Sequence, residues 1–300
     1  MTYEEAREYI KAAGKEQPDF LEHRNLKKLL FALGSPEERL RFVYIAGSRG
    51  RRAVQRFISA ILGQAEYCTG TVRLPLTEQP EMAVCADGEH ISCKRYAEAV
   101  ERIRQASDKL EQEGYDRPTE AQLEAAVIFL CLDRERCEIT VVEASDDPVS
   151  EVLAVMINAV CSVFVPILPE EEHAGAADRE EPAVRAAAAI RPGVPIVTGR
   201  QPESVMRVLA EEADHNNSNL RNVSLDRIVM VDDTQQPNLF EYKYHKNLKV
   251  WPDEQWQAEN AAVAVETAEL LGDWGFDISE NAIRCGLEEV RSLTADPTAQ

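Results

Sequence analysis

Residues 42–62 constrain the fold of this chain more than any other part of its sequence. They read FVYIAGSRGRRAVQRFISAIL: an apolar run, a turn with two glycines, and a segment with apolar residues at helical spacing. A buried strand, a glycine turn and a helix in this order form a phosphate-binding loop, in which backbone N–H groups face the phosphates. Such loops end in a lysine and a Ser/Thr hydroxyl. Here the positions after the turn are Arg51, Arg52 and Ala53.

Charge limits the partners that this chain can bind. A formal net charge of −20 over 300 residues would repel nucleic acid and anionic membranes. No run reaches the roughly 18 apolar residues of a membrane span, and the N-terminus carries no cationic and apolar signal segment. We therefore predict a cytoplasmic protein with no nucleic-acid or membrane partner.

The cysteines indicate a reduced protein. Seven are present, without a C-x-x-C pair, and several lie in apolar runs where a thiol behaves as a small hydrophobic side chain. We predict free core thiols and no metal binding through them.

Strands and helices alternate along the chain. Strands are predicted at 42–46, 71–74, 138–143, 161–167, 195–198, 227–231 and 240–244. Besides the helix after the glycine turn, helices are predicted at 2–13, 26–33, 92–113, 120–132, 149–159, 183–190, 203–213, 254–271 and 280–292. Residues 75–88 and 214–222 are expected to be connections. This alternation predicts an α/β fold with a mostly parallel sheet flanked by helices on both faces.

Several segments together resemble the ATP-binding domain of folylpolyglutamate synthase, a member of the Mur ligase superfamily. Residues 42–53 are similar to its loop FIHVAGTNGKGS, 191–199 to IKPGVPVVTG, and 257–262 to HQAENAA. The resemblance extends from about residue 2 to 291. It implies a P-loop-type Mur ligase central domain over 1–291 and a tail at 292–300, without the C-terminal domain of the family.

The resemblance implies a nucleotide site and a metal site. The nucleotide-binding positions that it assigns are Gly47, Ser48, Arg49, Gly50, Arg51, Arg52, Gln257 and Asn260. The metal-binding positions are Glu143 and Glu171. The alternatives are a charged strand end at Glu143, helix packing and capping at Gln257 and Asn260, and a solvated cationic patch at the arginines.

Many of the positions that the family uses for catalysis differ in this chain. Arg51 stands where the family has lysine, Arg52 where it has glycine, and Ala53 where it has serine. Ala186 takes the place of a lysine that is carbamylated in the family, and 144–148 replace the glycine-rich turn GLGGR. The folate-binding segments of the family keep little more than one proline and one threonine.

We therefore predict a folylpolyglutamate synthase-like protein that has lost ligase activity, a pseudoenzyme that acts as a binding or assembly subunit. Its partner would be another protein or a second copy of the chain, and the only candidate cofactors are ATP and Mg²⁺. One alternative is an ATP-dependent amide ligase for folate and glutamate, which uses ATP and Mg²⁺ and takes the missing domain from a partner chain. Another is a nucleotide or anion sensor without turnover, in which the arginines bind the anion.

Overall fold

The computed structural model describes residues 1–14, 23–168, 176–234, 236–251 and 257–291. The helices are α1 Tyr3–Lys11, α2 His23–Ala32, α3 Pro36–Arg39, α4 Arg51–Gln64, α5 Cys93–Gln112, α6 Glu120–Arg134, α7 Pro148–Met156, α8 Ala176–Ala187, α9 Glu203–His215, α10 Gln257–Asp273 and α11 Glu280–Glu289. The strands are β1 Phe42–Ala46, β2 Thr69–Arg73, β3 Val84–Ala86, β4 Glu89–His90, β5 Ile139–Glu143, β6 Ala159–Phe164, β7 Ile196–Thr198, β8 Leu220–Asn222, β9 Ile228–Asp232, β10 Asn238–Tyr242 and β11 His245–Val250. Short 3₁₀ helices lie at Pro80–Ala83 and Leu225–Arg227.

The chain divides into two compact units. The first comprises Met1–Arg41, Gly70–Thr140 and Ser145–Asn158, and the second comprises Phe42–Thr69, Val141–Ala144 and the chain from Ala159 onward. No helix in the described part of either unit is long and apolar enough to cross a bilayer.

The second unit contains the parallel sheet that the sequence predicts. Its strands lie in the order β5, β1, β6, β7, β8, and the pairs β1–β6, β6–β7 and β7–β8 are parallel. Both faces of β1 and β5 are buried, as expected for central strands in a parallel sheet. Helices α10 and α11 pack against α4. The predicted fold class, a mostly parallel sheet with flanking helices, is confirmed.

A separate three-stranded sheet in the same unit has the order β11, β10, β9, with both pairs antiparallel. The two strands predicted at 227–231 and 240–244 are therefore confirmed and do pair. Strand β11 is not among the predicted strands. It follows β10 after a tight turn at Lys243, which has a φ of 53°.

Capping residues fix the helix starts in the first unit. Thr2 and Glu5 form a capping box on α1, and Thr119 and Gln122 form another on α6.

The strands of the first unit, β2, β3 and β4, form an antiparallel set. Strand β3 lies inside the segment 75–88 and β8 inside 214–222, so the prediction of both as plain connections is wrong. Three-residue strands are too short for alternation to reveal them.

Candidate functional site

The glycine turn after β1 has the frame of a phosphate-binding loop. Gly47 has a φ of 129°, and a Cβ atom there would lie 2.5 Å from the carbonyl oxygen of Val165. Gly50 has a φ of 91°, precedes the first residue of α4, and would place a Cβ 2.5 Å from Oδ1 of Asn260. Both positions therefore require glycine, for conformation and for space.

Two N–H groups of this turn donate to the protein itself. The amides of Ser48 and Arg49 donate to the carbonyl oxygen of Pro166, at 2.9 and 3.3 Å. The Ser48 hydroxyl donates to the carbonyl oxygen of Leu168 at 3.1 Å and accepts from the Leu168 amide at 3.0 Å. The start of the turn is thus hydrogen-bonded to the segment that follows β6, and these amides are already satisfied.

Arg51 is the first residue of α4, and its side chain reaches the end of β5. Its Nη1 donates to the carbonyl oxygen of Ala144 at 2.5 Å. Ala144 directly follows Glu143, the last residue of β5, which is only 9% exposed. The guanidinium group is therefore held at the carboxyl end of β5. Ala53, the third residue of α4, is buried and offers no hydroxyl group. Arg52 lies in the first turn of α4 and is half-buried.

The first turn of α10 brings distant residues to the loop. Asn260 packs against Gly50, so two segments that the sequence separates by 210 positions meet at one place. Gln257 and Asn260 are both buried. The side-chain oxygen of Gln257 has no hydrogen-bond partner among the described residues, of which 252–256 are not part. The structure thus joins the two halves of the predicted nucleotide site.

A cavity of about 480 Å³ lies beside the loop, where β1, β6, β7 and β8 end. It is lined by Arg49, Pro166, Leu168, Gly199, Arg200, Gln201, Pro202, Val223, Leu225, Glu259, Asn260 and Val263. The carboxyl ends of parallel strands are where open α/β sheets bind ligands. Burial raises the pKa of Glu259, and the charge of Arg200 opposes this.

The sequence predictions did not include Arg200, Gln201 or Glu259 in the site. The Gln201 amide nitrogen donates to the carbonyl oxygen of Val165 at 2.9 Å, and its oxygen accepts from the Ile167 amide at 3.0 Å. Gln201 therefore fixes the end of β7 against the end of β6. The position of Arg200 and Gln201 directly after a predicted strand is the signal that could have found these two residues.

The metal assignments remain predictions. Glu143 lies at the carboxyl end of β5, as expected, whereas Glu171 lies outside the described residues. Within the described ranges, no three His, Cys, Asp or Glu side chains are placed to hold a metal ion. Ala186 lies near the end of α8 and has no group that could replace a carbamylated lysine.

The fold and the site together define the class of this chain: an α/β protein with a phosphate-loop frame at the end of β1 and a cavity at the carboxyl edge of the sheet. Two curated proteins are similar to this chain in sequence. The chain is 25% identical over 276 residues to dihydrofolate synthase/folylpolyglutamate synthase of Bacillus subtilis, covering 87% of this chain and 62% of the relative. It is 24% identical over 278 residues to folylpolyglutamate synthase of Lacticaseibacillus casei, covering 89% and 64%. No family model matches.

Solved structures agree with these relatives. The folylpolyglutamate synthetase from Lactobacillus casei superimposes with a TM-score of 0.81 at 22% identity, covering 96% of this chain and 71% of that one. The Mycobacterium tuberculosis folylpolyglutamate synthase complexed with ADP gives 0.79 at 20% identity, covering 95% and 65%. The chain therefore has the Mur-ligase-like fold of folylpolyglutamate synthases, which confirms the predicted resemblance in sequence and fold. The restriction to the ATP-binding domain and the altered active site remain predictions. The chain spans about 62% to 64% of the length of the curated relatives.

Proposed function

We propose that this folylpolyglutamate synthase-like chain has lost ligase activity and acts as a binding or assembly subunit. The observation that carries the proposal is the hydrogen bond from Arg51 to the carbonyl oxygen of Ala144. A phosphate-binding loop needs a cation free to reach the outer phosphates. Here the cation at that position is engaged at the end of β5 instead.

The energetics support the same conclusion. A hydrogen bond to a charged group contributes about 1.5–3 kcal/mol, so moving the Arg51 guanidinium to a phosphate must first offset this amount. The amides of Ser48 and Arg49 would also have to exchange their bonds to Pro166 for bonds to phosphate. Ala53 supplies no oxygen ligand for Mg²⁺. ATP·Mg²⁺ therefore fits these residues poorly.

The expected effect on turnover is large. Loss of one preorganised electrostatic contact typically reduces a rate about 10²–10³-fold, and this loop has lost both a lysine and a hydroxyl group. The effects are not additive, but even half of their combined cost would leave little turnover. The two curated relatives are named as synthases, and this chain covers 62% and 64% of their length.

A single-turnover assay tests the proposal. The protein is mixed with ATP, Mg²⁺, a folate and glutamate, and release of ADP and phosphate is measured; no product is expected. The matched variant carries Arg51→Lys, Arg52→Gly and Ala53→Ser together, and should gain ATP·Mg²⁺ binding by calorimetry. Metal-dependent turnover by the unmodified chain that Glu143→Ala abolishes would contradict the proposal. It would support the ligase alternative instead.

The cavity favours a second candidate, a sensor that binds a small anion or nucleotide without turnover. Arg49 and Arg200 both line this space, and apolar side chains form much of the remaining wall. Such a sensor would show a higher melting temperature with ADP or phosphate and no hydrolysis. Arg49→Ala should remove the shift, while Arg207→Ala, a change on the neighbouring helix α9 outside the cavity lining, should keep it. No shift with either ligand would exclude this candidate.

A further inference from the structure

The hairpin of β3 and β4 sets a cysteine directly opposite a histidine. Residues 85–90 read CADGEH, and the turn residues Asp87 and Gly88 have φ values of 47° and 79°. Two positive φ values in an Asp-Gly pair are typical of a type I′ turn, which fixes the register of a two-residue hairpin. The strands pair antiparallel with Cys85 opposite His90. The turn sequence therefore determines that these two side chains are neighbours.

The two side chains meet on the outer face of the hairpin. Sγ of Cys85 lies 3.1 Å from Nδ1 of His90. The Ile91 amide donates to the carbonyl oxygen of Val84 at 3.0 Å, so Cys85 and His90 form the next, non-hydrogen-bonded pair, in which opposite side chains come closest. Val84 and Ile91 are each 4% exposed and face the core. Because successive residues of a strand alternate in direction, Cys85 and His90 face outward, where a small reagent can reach them.

A thiol at this distance from an imidazole can transfer its proton to the ring nitrogen, and the resulting thiolate is the nucleophilic form of cysteine. We propose that Cys85 and His90 form such a thiolate–imidazolium pair and that Cys85 is a site at which small disulfides modify the protein. The inference goes beyond the proposed loss of ligase activity, because it uses no residue of the glycine turn.

Charged side chains of the neighbouring strands and of the turn act on this pair. Asp87 and Glu89 lie at the turn and are exposed. On the other side, β2 sets Thr71 opposite Cys85, and Arg73 lies two residues further along the same face of β2. The carboxylates favour the imidazolium and the guanidinium favours the thiolate. Because the exposed charges at the turn are negative, a cationic disulfide is expected to approach the thiolate most easily.

The modification is a thiol–disulfide exchange. The Cys85 thiolate attacks one sulfur of the small disulfide, a new S–S bond forms to Cys85, and the old S–S bond breaks. The sulfur of Cys85 is oxidised, and the departing sulfur is reduced to a thiolate. That thiolate takes the proton from the imidazolium of His90, which returns to its neutral form. The small disulfide is the only other reactant that the exchange requires.

Cys93 provides a comparison within the same protein. It is exposed, and its Sγ donates to Oε1 of Glu81 at 3.8 Å. Burial of the thiol and the negative charge of Glu81 raise the pKa of Cys93. Exposure alone would make Cys93 react faster than Cys85, which is only half-buried. Pairing with His90 predicts the opposite order.

Alkylation by iodoacetamide, followed for each cysteine by peptide mass spectrometry, tests the ion pair. At pH 6.5 about 1% of an ordinary thiol is ionised, and this fraction changes about tenfold per pH unit. Cys85 should react about tenfold faster than Cys93 at pH 6.5, and its rate should change less than about threefold between pH 6.5 and 7.5. His90→Gln should slow Cys85 about fivefold at pH 6.5 and restore the steep pH dependence. His215→Gln, at the exposed end of α9, is the matched control and should change neither.

The exchange itself is tested with cystamine, a small cationic disulfide. The protein should gain a mixed disulfide at Cys85 before any other cysteine, Cys85→Ser should remove this product, and dithiothreitol should reverse it. Circular dichroism verifies that each variant is folded. The inference would be overturned by a Cys85 rate at or below that of Cys93 at pH 6.5, by a Cys85 rate that His90→Gln leaves unchanged, or by cystamine modifying another cysteine first.

Discussion

A buried charge cluster joins the β10–β11 turn to α10 and allows a quantitative prediction for Glu269. The Glu269 carboxylate accepts from Nζ of Lys243 and from Nε2 of His245, both at 3.0 Å, and from the Tyr244 hydroxyl. His245 is 2% exposed, and its Nδ1 lies 2.5 Å from a Glu280 oxygen. One carboxylate thus satisfies two cationic side chains and a hydroxyl group on the same turn.

The magnitude follows from the pKa of Glu269. Burial alone would raise it, but the hydrogen bonds from His245, Tyr244 and Lys243 outweigh burial and lower the pKa from 4.5 to about 2. Each pKa unit corresponds to about 1.36 kcal/mol, so the charged form is favoured in the folded state by roughly 3 kcal/mol. The side chain is only 13% exposed, so screening by solvent is small.

Glu269→Gln should therefore lower the free energy of unfolding at pH 7 by about 2–3 kcal/mol, because it removes the charge and keeps the shape. The assay is urea unfolding of both proteins across pH. A depressed carboxyl pKa stabilises above the unfolded value of 4.5, and this stabilisation is lost as the pH falls toward 2. The difference in the free energy of unfolding between the two proteins should therefore shrink, and roughly half of it should remain at ~pH 3.

The free energy of unfolding above pH 6.5 tests the same cluster through His245. Burial disfavours the charged form of His245, but Glu269 and Glu280 outweigh it and raise its pKa above 6.5. That stabilisation is complete below 6.5 and is lost as pH rises through the folded value. Glu241→Gln, which removes a more exposed pairing with Lys246, is the control and should cost less than about 1 kcal/mol. Equal effects of the Glu269 and Glu241 variants, or a difference that does not change with pH, would refute the reasoning.

Two further predictions concern packing and thiol chemistry. A Cβ at Gly286 of α11 would lie 2.5 Å from the backbone nitrogen of Ile61 on α4, so Gly286→Ala should reduce the free energy of unfolding by about 1–3 kcal/mol. Gly272→Ala, with open space around that position within the described residues, should instead raise it by up to about 1 kcal/mol, and chemical denaturation distinguishes the two. Burial raises the pKa of Cys161 to about 12, so it should resist alkylation at pH 8 in the native protein, while the exposed Cys93 reacts. Fast native labelling of Cys161, detected by mass spectrometry, would contradict this.

The sequence predicted the central strand and helix well because their signals are local. The run at Phe42–Ala46 is apolar on both faces, and the glycines mark the turn before α4. The boundary between α7 and β6 was harder. Apolar residues continue from the helix through the strand, so the helix predicted to reach 159 ends at Met156. Periodicity cannot place a boundary inside a continuous apolar run.

The sequence selected residues that the structure brings together, but it did not predict the contacts between them. The family resemblance selected both Gly50 and Asn260, but their approach depends on how α10 packs, which no local pattern encodes. The direction of Arg51 was also hidden, because a long side chain has many rotamers and the available acceptor, Ala144, is distant in sequence. Arg200 was missed because it lies in a connection without a motif of its own.

Helix α4 connects the glycine turn to the contact with α11. It has 14 residues and is about 20 Å long, and Gly286 of α11 rests on the backbone of Ile61, about 15 Å along the helix from Arg51 at the glycine turn. Close-packed helices transmit strain because no gap absorbs it. A displacement of α11 is therefore expected to shift α4. Because Arg51 is the first residue of α4, its guanidinium group at the glycine turn would move with the helix.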